Sequence, residues 1–547
     1  MLRLMLIGLL LLSAPALAQH DAGHAGKIVH QPALIPGLGK LHHPVTTTNA
    51  AAQKFFDQGL ALVYAFMHEE AVRSFERAAE LDPKLAMAHW GVALALGPNY
   101  NMEMETEQGK KALAAIRRAQ ELAPGASQRD QDYIAALATR YTDQMDVDPK
   151  KPGIDYAAAM KSLAQKYPDD ADAATLYADS MMVLRPWQLW SNDGVPAEGT
   201  GDIVATLESV LARQPDHIGA NHLYIHAIEA SKEPQKGLAS ARRLEHLAPA
   251  AGHLVHMPAH IYDRVGDYAG AAHANAVGAA ADRAYIKRGG EGLYPMMYYN
   301  HNLHFLVFAN ATRGHYREAI SAANQLAEHV GPALKDMPML EAFLPAATLV
   351  NVHFQKWNLL LATPRPPESQ PASTVLWHFG QAMAYAARGN VLAARFARDE
   401  MAAAAGRIPE KAMWGNNKLA DVLRVATSLV DARIALAAGD TKTAFAAFAD
   451  GADAEDRLAY DEPQPWPLPM REWWGAALLS AGDAAGAEAV YRAELAKHPK
   501  SGRALYGLST ALKKQRKPAG QVDREFAVAW KGADTKVLLV GNGVRAH

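Results

Sequence analysis

The chain has 547 residues, a formal net charge of −2, and 23 histidines but no cysteine. A balance this close to neutral makes neither nucleic acid nor an anionic membrane an obvious partner. Without cysteine there are no disulfides and no thiolate metal ligands, so packing alone must hold the fold, and histidine, carboxylate and methionine remain as metal donors.

At the N-terminus, Arg3, the apolar run Leu4–Leu12 and the small-x-small triplet Ala16-Leu17-Ala18 read as a secretory signal peptide over 1–18, with Gln19 opening the mature chain. No other uninterrupted apolar run approaches membrane-spanning length and no cysteine beside the cleavage site offers a lipid anchor. The expectation is therefore an exported, soluble protein, with a bacterial periplasm as its address. Residues 19–48 carry His20, His24, His30, His42 and His43 among glycine, proline and threonine, and read as a flexible leader. His42-His43 stands just before the first helix, from where it can fold back over the groove of the helical region.

From Asn49 a cadence begins. In Glu70-Ala71-Val72-Arg73-Ser74-Phe75-Glu76-Arg77-Ala78-Ala79-Glu80-Leu81-Asp82-Pro83, small or apolar residues at Ala71, Phe75, Ala78 and Leu81 lead to a terminating proline. It returns as Gly237, Ala241, Leu244, Leu247, Pro249 and again as Ala487, Tyr491, Glu494, Pro499. A shorter amphipathic helix precedes each one, often through a turn such as Gly266-Asp267-Tyr268 or Gly314-His315-Tyr316. This pattern resembles the tetratricopeptide repeat, over about Asn49 to Pro518. The resemblance implies an all-α, helical-hairpin solenoid wound as a right-handed superhelix. The reading gives an N-terminal block over 49–362, a proline-rich linker over 363–373, a second block over 374–530 and a tail over 531–547. Two further breaks are Arg185-Pro186-Trp187-Gln188-Leu189-Trp190 and Asp461-Glu462-Pro463-Gln464-Pro465-Trp466-Pro467.

Within three successive repeats, seven histidines keep register with the small residue opening the second helix: Gly237, Ala271 and Ala319. His222, His256 and His304 lie fifteen positions upstream, His226 and His260 eleven, and His253 and His301 eighteen. Steps of three and four stack side chains on one helix face. Imidazole is a common ligand for zinc, copper and iron. The seven are therefore expected to hold a transition metal (Cu, Fe or Zn), with His222, His226, His256 and His260 as the core set and His253, His301 and His304 completing it or building a second site. Glu229, one turn beyond His226, is the candidate carboxylate ligand or general base, and Asn221, Asn300 and Asn302 are candidates to orient the ligands.

The resemblance implies that such positions line the concave groove, where the family usually grips peptides. Two functional readings are open. One is an exported metalloprotein, a metal-dependent oxidoreductase or hydrolase acting on a small molecule or peptide in the groove. The other is a periplasmic scaffold binding a peptide or an envelope protein, its histidines contributing hydrogen bonds or pH sensitivity. His222 is followed by Leu223, so no His-Glu-x-x-His metallopeptidase signature is present.

Overall fold

A computed structural model describes residues 32–143 and 150–539; the signal-peptide segment, His20, His24 and His30 lie outside them. Among the described residues the chain is a succession of antiparallel helical hairpins, interrupted by one antiparallel pair of two-residue strands, Met413–Trp414 with Asn417–Lys418. Among the described residues, no helix is long and apolar enough to cross a membrane.

The first hairpin shows why the sequence folds this way. The Asn49 side chain accepts from Ala51 N and Ala52 N and so starts the Ala50–Tyr64 helix. The His68–Leu81 helix comes next, and Asp82-Pro83 ends it. Phe75 is fully buried, and Gly59 and Gly91 on the flanking helices make room for its ring. A Cβ at Gly91 would stand 2.3 Å from Phe75 Cδ1. Tyr491 repeats the device between Gly475 and Gly507. Gly91→Ala is expected to cost about 1–3 kcal/mol through overpacking, read as a lower denaturant midpoint at unchanged slope; an unchanged midpoint would show that the ring gives way freely.

The turns behave as read. Gly266 and Gly314 end first helices at φ 75 and 80, conformations that disfavour a side chain. Asp267 then caps the next helix, Tyr268–Lys287, by accepting from Gly270 N.

Three of the segments set apart in the sequence show their contacts. The leader is ordered over residues 32–48, because side chains from several helices satisfy its irregular backbone: Ile35 N donates to Gln58 Oε1 (2.7 Å) and Thr46 N to Asp130 Oδ2 (2.9 Å). The proline-rich stretch 363–373 runs as a loop over 363–370 into the Pro371–Ala387 helix, inside a packed region. Leu349, Val352 and Leu360 before it share one core with Val375, Leu376 and Phe379 after it. The tail, over 531–539, packs back on the middle of the chain. Asp534 accepts from Tyr316 N (2.8 Å) and Arg317 N (3.0 Å), and Thr535 Oγ1 donates to Gly314 O.

These long-range contacts make the array close on itself. Arg503 Nη1 donates to His353 O (3.1 Å) and Asn192 Nδ2 to Leu458 O (2.8 Å), joining the C-terminal hairpins to the middle and to the 185–199 loop. The face expected to be an open groove is covered as a result: five of the seven register histidines are buried, at 0–1% exposure.

Candidate metal centre

Three first helices bring the histidines together. Ile218–Ile228 carries His222 and His226. The second is broken at Met257 into Gly252–His256 and Pro258–Arg264, yet it keeps His253, His256 and His260 on one side. A π-helical turn, Pro295–Tyr299, leads into Asn300–Thr312, which carries His301 and His304.

Six of the seven sort into two trios. In His222, His226 and His253, and again in His256, His260 and His301, the potential ligand atoms lie within 4.8 Å of one another. His222 Nε2 is 3.0 Å from His253 Nε2, and His256 Nε2 is 2.8 Å from His260 Nε2. The core set expected from sequence is thus divided, two histidines to each trio, with His253 and His301 as the third members. His304 joins neither. Its ring packs against Phe343 at 5.5 Å and borders a cavity of about 30 Å³ with Val307, Phe308 and Pro463.

The outward nitrogens fix the rings. His222 Nδ1 donates to Tyr64 O (2.6 Å), a carbonyl left free at the end of the Ala50–Tyr64 helix. His256 Nδ1 donates to Asn275 Oδ1 (2.9 Å), and the Asn275 amide is itself oriented because its Nδ2 donates to Ala271 O. A carbonyl can only accept, so in these two rings, one from each trio, the proton sits on Nδ1 and the Nε2 lone pair faces the trio.

Glu229 spans the two trios. His226 Nδ1 lies 3.0 Å from its Oε1 and His260 Nδ1 2.7 Å from its Oε2. Both carboxylate oxygens are therefore occupied on the outer side of the rings. Glu229 is thereby placed to position one histidine of each trio, and with His226 and His260 it also forms a group close enough to hold a metal ion. Glu462, from the proline-rich loop of the C-terminal hairpins, contacts His260 Nδ1 as well. Burial pushes both carboxyls well above the ordinary range, with Glu229 adding repulsion on Glu462.

All six imidazoles are held toward the neutral form. Burial lowers His226 and His256 to about 3, and lowers His222, His253, His260 and His301 well below the usual value, with neighbouring imidazoles adding in several cases. Neutral imidazole is the metal-binding form.

An aromatic shell excludes water from the first trio. Phe66 turns through the left-handed region at φ 55, and its ring lies 4.5 Å from His222 and 5.3 Å from His253. Tyr100 is 5.1 Å and Trp187 5.9 Å from His226, and Tyr298 is 4.5 Å from His253. Trp187 belongs to the aromatic break at 185–190, and Tyr298 to the π-helical turn.

Other candidates fall elsewhere. Asn221 donates to Pro215 O and His217 O, Asn300 to Met296 O, and Asn302 to Asp282 Oδ2. Asn275, which the sequence pattern does not single out, does the orienting instead. His43 is buried against Asp172 (2.7 Å), and His42 pairs with Asp57; they brace the leader, away from the two trios.

No protein-family model matches the chain, and no curated protein does. Among solved structures, the human IFIT1 dimer with m7Gppp-AAAA is similar at 12% identity and a TM-score of 0.32, over 89% of this chain and 92% of that one. Yeast Tom70 gives 13% and 0.31 over 88% and 92%, and the P58(IPK) TPR domain 12% and 0.21 over 81% and 99%. Likenesses at this level say nothing of the site, and the fold stands on the hairpins themselves. By that fold the chain is a tetratricopeptide-like helical-hairpin solenoid, with histidine groups in its interior that are close enough to hold a metal ion.

Proposed function

We propose that this protein is an exported metalloprotein whose interior histidines bind a transition metal, copper, iron or zinc, and that it works as a metal-dependent oxidoreductase. The observation that carries the reading is the orientation of His222 and His256. Each has its outer nitrogen tied to an obligate acceptor and turns an unprotonated Nε2 toward two further imidazoles. Carboxylate and carbonyl partners on the outer nitrogens are the usual supports of metal-binding histidines. An all-imidazole donor set suits these metals.

Oxidation is favoured over hydrolysis because Glu229, the one carboxylate expected to serve as base, has both oxygens engaged by His226 and His260. The metal would supply redox chemistry or polarisation of a bound oxygen atom. The chain's own part is to hold six neutral imidazoles in place and to keep bulk water out with Phe66, Tyr100, Trp187 and Tyr298. The scaffold reading gains no support from these residues, since a peptide in an open groove would not reach imidazoles that are almost wholly buried. Export to a periplasm rests on the N-terminal segment and is part of the proposal.

A ligand that binds only the folded state raises stability, by about 2.7 kcal/mol at one hundred times its dissociation constant. The metal-stripped protein should therefore melt at a higher temperature when copper(II), zinc(II) or iron(II) is added, and a His256→Ala/His260→Ala variant should respond much less. Equal melting curves with and without all three metals would refute the proposal.

A further inference from the structure

Resting on that metal-binding reading, we infer that the chamber is a dinuclear site, with one transition-metal ion in the trio His222, His226 and His253 and a second beside it in His256, His260 and His301.

The spacing of the rings is the first argument. Within the trios, ring centroids are 4.6–6.0 Å apart. Across them, His226 and His260 are 5.5 Å apart, and His253 and His256 also 5.5 Å. The two half-sites are thus as close to each other as the rings of either one. Two-metal centres work at a separation of about 3.5–4 Å.

Nitrogen positions argue against one shared ion. Nitrogens on a tetrahedral ion with bonds of about 2.0–2.1 Å stand roughly 3.3 Å apart. The short Nε2 to Nε2 distances, 3.0 and 2.8 Å, both fall inside a trio, close to that ligand spacing. Among the described residues, the one metal-capable group that mixes the trios is His226, Glu229 and His260, and its carboxylate meets both rings at their outer nitrogens.

A shared support is the third argument: Glu229 lies between His226 and His260, and Glu462 contacts His260 from the same outer side. Glu229 reaches one histidine of each trio, so a single side chain sets the relative position of the two half-sites.

The test is a titration of the full-length, tag-free, metal-stripped protein with copper(II), followed by equilibrium dialysis and electron paramagnetic resonance. Copper held elsewhere is subtracted with a His253→Ala/His301→Ala variant, which loses one ligand from each trio; circular dichroism checks its fold. Two equivalents are expected, the second broadening or quenching the signal of the first because neighbouring spins couple. His253→Ala and His301→Ala alone should each bind one equivalent with the sharp spectrum of an isolated ion. One equivalent in the parent, or two with additive isolated-ion spectra, would overturn the dinuclear centre while leaving metal binding intact. No copper bound, and no zinc(II) or iron(II) bound in the same dialysis, would overturn the metal-binding reading itself. If a variant fails to fold, the count and spectrum of the parent decide.

Discussion

Replacing Glu229 is expected to weaken metal binding in both trios at once. With alanine at this position, His226 and His260 lose the carboxyl group that both of their Nδ1 atoms contact. Either ring can then turn or present its protonated nitrogen inward. Loss of such a supporting carboxylate typically lowers metal affinity about 10–100-fold, a drop that competition with a calibrated chelator measures directly. Glu229→Gln is more selective. Its amide keeps one acceptor oxygen and presents an NH2 group where the second was, so one ring stays oriented and the other meets a donor. The glutamine variant should retain one class of sites near parent affinity and weaken the other. A parent-like isotherm for Glu229→Ala would remove the positioning role assigned to this residue.

Trp466 carries the second large effect, through the loop that delivers Glu462. The side chain is 1% exposed, its ring lies 5.5 Å from Phe379, and it belongs to the core of the C-terminal hairpins. Pro463, Gln464 and Pro467 of the same loop reach the cavity beside His304 and His353. Truncating a buried tryptophan to alanine costs about 3–5 kcal/mol. Part of that cost is borne locally, because the loop loses its anchor. Trp466→Ala is expected to lower stability and to speed transfer of bound metal to an external chelator several-fold at a temperature where the protein remains folded. Destabilisation with unchanged metal release would separate the loop from access to the centre.

Much of the interior is legible from spacing alone. Offsets of eleven, fifteen and eighteen residues from Gly237, Ala271 and Ala319 place imidazoles on the faces of three neighbouring helices, because helical periodicity and repeat stacking are both local properties. The same logic misplaces His304. It shares His256's offset, yet the π-helical turn at Pro295–Tyr299 and the packing of Phe343 give its helix a different setting.

Residues that support the ligands are harder to see. Tyr64 acts through a backbone carbonyl at a helix end, which no side-chain pattern encodes. Asn275 sits four positions beyond Ala271 on the second helix of its repeat, a place the register reading reserves for hairpin packing. Glu462 stands out in the sequence within an aromatic and proline loop, but its contact with His260 depends on the array closing on itself. That closure rests on contacts such as Arg503 with His353 O and Asp534 with the Tyr316 and Arg317 amides, between residues far apart in the chain. The leader and tail look unstructured in composition and are ordered over 32–48 and 531–539 for the same reason: their partners lie on distant hairpins.

The most direct measurement is the metal content of the tag-free protein, isolated from a culture supplied with copper, iron and zinc and quantified by plasma mass spectrometry beside a folded His256→Ala/His260→Ala variant. Metal-binding trios require at least one equivalent of a transition metal per chain in the parent and a clear deficit in the variant. Background metal in both, persisting after reconstitution with each of the three, would mean that protons alone satisfy the imidazoles, with a neutral Glu229 donating to one of them, and that the chamber is a buried hydrogen-bond network.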